Sequence, residues 1–156
     1  MPAERVAELL KKHKHTVATA ESCTGGLIAK LLTDIPGSSE YFIEGVVAYA
    51  DEAKTRLLGV PAELITEHGA VSRQVAAAMA LGCRAKSGAD FALSTTGIAG
   101  PVGGTPEKPI GLVYIALADA HGCRVEELRL DSILPRDTIR ERTAQAAIDL
   151  LTANLT

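Results

Sequence analysis

Ser22 and Cys23 place two potential nucleophiles side by side in the segment Ala20-Glu21-Ser22-Cys23-Thr24-Gly25-Gly26. The apolar run Val17 to Ala20 ends there, and a helix-like segment, Leu27 to Leu32, follows at once. A strand that turns tightly into a helix start leaves backbone N–H groups without intrahelical acceptors, and such groups attract negative charge. The segment therefore supports two kinds of chemistry: an anion-binding turn, or a nucleophile beside its own oxyanion hole. Residue type does not choose between the two side chains. A helix N-terminus lowers a thiol pKa, yet cysteine in a turn also serves as a small packed residue, and one neighbour must face away if the other faces a ligand.

A serine nucleophile needs a base, and histidine is the default. His13, His15, His68 and His121 fall at helix ends and in a hairpin turn, with no route to the Ser22 turn. Lys54 is better placed, because Tyr49-Ala50-Asp51-Glu52-Ala53-Lys54 follows a strand end and turns Tyr49 and Lys54 toward the same edge. Lysine serves as a base only when burial or a nearby cation brings its pKa from about 10.4 to roughly 7–8. The alternative for Lys54 is a solvated helix position, and for Tyr49 an amphipathic strand end. Thr95-Thr96-Gly97 opens a glycine-rich loop suggestive of a phosphate or ribose cradle, although its spacing matches neither the P-loop nor the dinucleotide fingerprint. Arg136 and Arg140, four apart at a helix start, could hold a phosphate or simply pair with Asp137 and Glu141.

The elements that must position these residues follow from periodicity and breakers. Val6, Leu9 and Leu10 predict a helix over 3–13, followed by a strand over 16–20 and a helix over 27–32 that stops at Pro36-Gly37-Ser38-Ser39. A strand over 41–50 precedes short helices over 51–58 and 61–68, each ended by a glycine. Ser72 caps a longer helix through Lys86, and a strand over 90–95 runs into the Gly97–Pro106 loop. Segments 110–118 and 124–130 read as an antiparallel pair, and 137–151 as a final helix. This order predicts a single α/β domain over 1–156: a mostly parallel sheet with one antiparallel strand and helices on both faces. In such sheets ligands sit beyond the carboxyl ends of the strands, where the Ser22 turn, the segment after Tyr49 and the Thr96 loop all begin.

Composition narrows the function classes. With 156 residues the chain can bury about 70% of its unfolded surface. Three cysteines, Cys23, Cys83 and Cys123, cannot all pair and lack zinc-site spacing, which suits free thiols in a reducing cytoplasm. The net charge of −3, with mixed signs, gives no basic stripe for a phosphate backbone, and two Phe, three Tyr and no Trp give few stacking platforms. Neither a signal peptide nor a membrane span is expected.

Taken in order, the Ala20–Gly26 segment, Pro36-Gly37-Ser38-Ser39, Gly69-Ala70-Val71-Ser72, Thr96-Gly97-Ile98-Ala99-Gly100-Pro101 and Glu107-Lys108-Pro109 resemble the CinA C-terminal domain family, the nicotinamide mononucleotide amidohydrolases, also called PncC. The resemblance runs from about residue 3 to residue 153. It implies a three-layer α/β/α sandwich with a mixed, mostly parallel sheet of about five strands. It also implies cytoplasmic hydrolysis of a carboxamide, that of nicotinamide mononucleotide, without metal or cofactor, in pyridine nucleotide recycling. By the same resemblance Ser22 is the nucleophile, Lys54 its general base and Tyr49 an assistant. Thr96, Gly97 and Arg136 contact substrate, with Arg140 in reserve, and the amides of Thr24, Gly25 and Gly26 serve the oxyanion. The implied partner is a small pyridine mononucleotide, with neither nucleic acid nor membrane, and the implied assembly is a homodimer by analogy. The alternatives are a non-catalytic mononucleotide-binding module and a competence- or DNA-damage-associated accessory protein. This chain has Tyr49-Ala50-Asp51 where the family usually has Tyr-Ser-Asn, Val102 where an acidic or small residue is common, Glu44 where glycine is usual, and Pro135-Arg136-Asp137 in place of a glycine-aspartate-arginine turn. A carboxylate at Asp51 close to Lys54 would raise the lysine pKa and oppose its role as base.

Overall fold

The computed structural model describes residues 2–155. Its order is α1 (Pro2–His13), β1 (Val17–Glu21), α2 (Leu27–Thr33), a 3-10 turn (Ser38–Glu40) and β2 (Phe42–Val47). Then come α3 (Asp51–Leu58), α4 (Ala62–His68), α5 (Arg73–Ser87), β3 (Phe91–Gly97), β4 (Leu112–Asp119), β5 (Gly122–Arg129) and α6 (Arg136–Ala153). The five strands form one sheet in the order β2-β1-β3-β4-β5. β1 pairs in parallel with both β2 and β3, while β4 runs antiparallel to β3 and β5. Only β4 is reversed, so the sheet is mixed and mostly parallel, as the alternation of predicted elements requires.

Period-two alternation in the central strand β1 decides what faces each layer. Val17 joins one core with α1, α2 and α6, through Leu10, Ile28, Leu32 and Ile148. Ala18 and Ala20 join the other, with α3 and α5, through Leu58, Val75 and Met79. The second face of the sheet is built from small residues, Ala18, Ala20, Ala92, Ala116 and Ala118, which let α5 lie close. Ser94 contributes there too, its hydroxyl donating to the Ala76 carbonyl at 2.6 Å. α5 also passes tightly over the end of α3: a Cβ at Gly82 would lie 1.8 Å from the Leu58 carbonyl oxygen.

The strand expected over 41–50 is shorter at both ends. At the amino end, the Tyr41 carbonyl still accepts from the Val17 amide of β1 at 2.8 Å, while its fully buried phenol donates to the Leu32 carbonyl at 2.6 Å and ties the residue to the end of α2. At the other end, the carbonyls of Ala48 and Tyr49 turn to accept hydrogen bonds from Lys54 Nζ, so the chain bends out of the sheet into α3. Ser72 does cap α5, its hydroxyl accepting from the Val75 amide at 3.2 Å, and Gly88 closes that helix at φ +74°.

Candidate active site

The carboxyl ends of β1, β2 and β3 lie side by side, with Glu21 opposite Val47 on one flank and Thr95 on the other. β1 connects to a strand on one side and its other neighbour is reached by crossing back, so the Ser22 turn sits at the sheet's topological switch point. Continued alternation sends Glu21 toward α2 and Ser22 toward α3.

Lys54, in the second turn of α3, is 1% exposed. Its Nζ donates to Ser22 Oγ at 3.0 Å, to the Ala48 carbonyl at 3.0 Å and to the Tyr49 carbonyl at 2.9 Å. Burial lowers its pKa below the ordinary lysine range, against the opposing pull of the Asp51 carboxylate. Asp51 lies close, as its position in α3 suggested, with Oδ1 3.9 Å from Nζ. It does raise the lysine pKa, but desolvation is the larger effect.

The layers separate the two candidate nucleophiles. Cys23 packs into the core of the α1/α2/α6 side. Its thiol is pushed up to about 12, chiefly by burial, with the Glu21 charge adding to it. A thiol held neutral and turned into a core is a poor nucleophile, whereas Ser22 touches an amine.

Glu21 was not foreseen as part of this centre. It is 1% exposed and accepts from the Thr24 hydroxyl and the Ile28 amide through Oε1 and from the Ala29 amide at 3.1 Å through Oε2. The first free amides of α2 are thus filled by a carboxylate from the same chain, so the helix start does not present them to an external anion. Of the expected oxyanion donors, the Gly25 amide is engaged by the Ser22 carbonyl at 3.1 Å. Among the described residues the amides of Thr24 and Gly26 donate to no protein acceptor. The signal that could have revealed Glu21 is a lone carboxylate in an apolar strand immediately before a helix start.

The remaining candidates divide by what they touch. The Thr24 hydroxyl lies 2.8 Å from that of Thr95, and Thr96 Oγ1 donates to the Ala70 carbonyl at 2.8 Å, pinning the α4–α5 loop. Gly97 is required by packing, since a Cβ there would lie 2.6 Å from Val113 Cγ2. Arg140 holds the turn itself, donating through Nε to the Cys23 carbonyl at 3.0 Å and through Nη2 to the Thr24 carbonyl at 3.1 Å. Arg136 bridges the rim, donating to the Gly100 carbonyl at 2.7 Å and to the Tyr49 hydroxyl at 2.9 Å. Tyr49 reaches Lys54 through its backbone carbonyl, while its half-exposed ring lies at that rim. A separate cleft of about 290 Å³, lined by His15, Arg84, Asp90, Phe91 and His121, lies at the opposite, amino end of β3 and holds none of these groups.

Known proteins share this arrangement of elements. Residues 1–155 match the CinA C-terminal domain family. The chain belongs to that family. CinA-like proteins of Citrifermentans bemidjiense and Chlorobium chlorochromatii are 57% identical over 148 residues and 62% identical over 115 residues. Those matches cover 95% and 74% of this chain but 35% and 27% of the relatives, so the chain spans about a third of the length of the curated CinA relatives. A solved competence/damage inducible protein from Agrobacterium tumefaciens superposes with a TM-score of 0.95 at 46% identity, covering 97% of this chain and 92% of that one. A CinA superfamily protein from Klebsiella pneumoniae gives 0.94 at 32%, with coverage of 99% and 95%. The CinA fold thus extends over the described chain, in which no helix is long and apolar enough to cross a membrane.

Proposed function

We propose that this chain is a cytoplasmic amidohydrolase that converts nicotinamide mononucleotide to nicotinate mononucleotide and ammonia by a serine–lysine mechanism, in pyridine nucleotide recycling. The observation that carries the reading is the set of three acceptors around Lys54 Nζ. When the amine is neutral, the Ala48 and Tyr49 carbonyls can only accept, so the two remaining N–H bonds stay on them. The lone pair is then directed at the Ser22 hydroxyl, which is the orientation a general base needs.

The chemistry follows from that orientation. Lys54 takes the Ser22 hydroxyl proton as Oγ attacks the carboxamide carbon, and the amides of Thr24 and Gly26 are the donors left to stabilise the oxyanion. The Lys54 ammonium then gives its proton to the departing nitrogen, the C–N bond breaks and ammonia leaves an acyl ester on Ser22. Water attacks that ester while Lys54 takes its proton, the C–Oγ bond breaks, and Lys54 returns the proton to Ser22. Arg136, at the rim, is placed to take the substrate phosphate in exchange for its Tyr49 contact, whereas Arg140 already has two carbonyls to hold.

The test is ammonia release from nicotinamide mononucleotide by the wild type and by Ser22→Ala, Cys23→Ala and Lys54→Ala. Ser22→Ala and Lys54→Ala should each lower kcat by about 10³-fold or more, with Cys23→Ala retaining turnover. Activity that survives Ser22→Ala but disappears in Cys23→Ala refutes the serine assignment. Calorimetric binding of the nucleotide without ammonia release by the wild type would instead mark a binding module.

A further inference from the structure

We propose that Asp51 is a positioning residue for Lys54, its carboxylate holding the buried amine in the ammonium form and so setting the pH above which Ser22 gains a base. The inference rests on the reading of Lys54 as that base. The three hydrogen bonds of Nζ go to a hydroxyl and two carbonyls, all uncharged, so they orient the amine without neutralising it. Among the described residues, the carboxylate within 4 Å of Nζ is that of Asp51, at 3.9 Å. Asp51 is the first residue of α3, where the helix dipole favours a negative charge.

Neighbouring elements bring further ionisable groups, among them Arg136, which donates to the Tyr49 hydroxyl at the rim, and Glu44 of β2, whose charge acts on Cys83. From the turn after β1 come Ser22 and the Cys23 thiol, the latter kept neutral by its burial. Glu21 points into the other layer and is held by Thr24, Ile28 and Ala29. α5, packed on α3, brings apolar side chains and the Cys83 thiol, itself pushed up to about 12 by burial and so neutral. Among the described residues, Asp51 is therefore the charge within 4 Å of Nζ available to offset the desolvation of Lys54. Because its side chain is 65% exposed while that of Lys54 is 1% exposed, it acts from the solvent side, where added salt screens it.

The experiment is a pH titration of the Lys54 Cε resonance by carbon-13 NMR in lysine-labelled protein, the signal being assigned by its loss in Lys54→Arg. It is run for the wild type, Asp51→Asn and Asp51→Glu, beside the pH profile of kcat/KM for ammonia release. Asp51→Asn removes a charge the start of α3 favours, whereas Asp51→Glu keeps it, so the thermal midpoint of each variant is recorded to show that the fold is retained. Asp51→Asn should lower the Lys54 midpoint by about one pH unit, carrying the acid limb of the profile with it. Asp51→Glu, which keeps the charge, should stay closer to the wild type. Raising salt should lower the midpoint in the wild type and move it less in Asp51→Asn. A Lys54 midpoint unmoved in Asp51→Asn overturns the proposal, whatever happens to activity. A shifted midpoint in a protein that releases no ammonia upholds it and counts instead against the amidase reading.

Discussion

Replacing Glu21 by Gln changes one atom and tests whether the start of α2 is sealed from within. In the wild type Oε1 accepts from Thr24 and Ile28 and Oε2 accepts from Ala29, all in a side chain 1% exposed. The amide keeps one oxygen and gains an NH2, so in either orientation a donor must face a donor. The better orientation leaves the oxygen on Thr24 and Ile28 and sets the NH2 against the Ala29 amide, 3.1 Å away in the wild type. Losing a hydrogen bond to a charged group costs about 1.5–3 kcal/mol. Losing the negative charge at the helix N-terminus costs about 0.3–2 kcal/mol more. Relief from burying a charge offsets part of this, leaving a net loss of about 2–3 kcal/mol. For a domain of this size that corresponds to a fall in Tm of roughly 5–10 °C. Urea unfolding followed by circular dichroism measures the loss, and amide hydrogen exchange at Ile28 and Ala29 localises it. A change below about 0.5 kcal/mol with unaltered exchange at both amides would refute the reasoning.

Four further outcomes can be measured. Because burial lowers the Lys54 pKa, its protonated, inactive form gives way to the neutral base as pH rises through that lowered value; kcat/KM should therefore climb with pH below the ordinary lysine range, and a flat profile there contradicts the base assignment. Arg140→Lys can satisfy one of two carbonyls with a point charge, so it should cost about 1–2 kcal/mol in urea unfolding and lower kcat, whereas Arg136→Ala should act mainly by raising KM. Gly82→Ala puts a Cβ 1.8 Å from the Leu58 carbonyl oxygen, where backbone must move, and should lower stability by about 2 kcal/mol or more, seen as a depressed thermal midpoint.

The elements were largely readable from local pattern. The helix over 51–58 and the Ser72 cap coincide with the structure because their signals, a terminal glycine and a hydroxyl before an apolar period, are local. The ends of β2 were not readable. Tyr41 is tied by its phenol to the end of α2 and Ala48 by its carbonyl to Lys54; both partners are within ten residues, but they are side-chain-to-backbone bonds that a period-two strand pattern does not register. The two arginines show the same limit: their spacing put them on one helix face, but only the docking of α6 directs Arg140 to the Ser22 turn and Arg136 to the rim.

By itself the sequence determined the alternation of strands and helices, the mixed sheet, the three polar turns at its carboxyl edge and the family. Breakers and hydrophobic periods act over a few residues, and those are enough to order the elements. Tertiary structure alone decided that Ser22 rather than Cys23 meets the amine, that Glu21 fills the helix start, and that Lys54 is buried deeply enough for desolvation to outweigh Asp51. Each of those outcomes depends on which layer covers a given face of β1. That is fixed only when α2 and α6 close over one side of the sheet and α3 and α5 over the other.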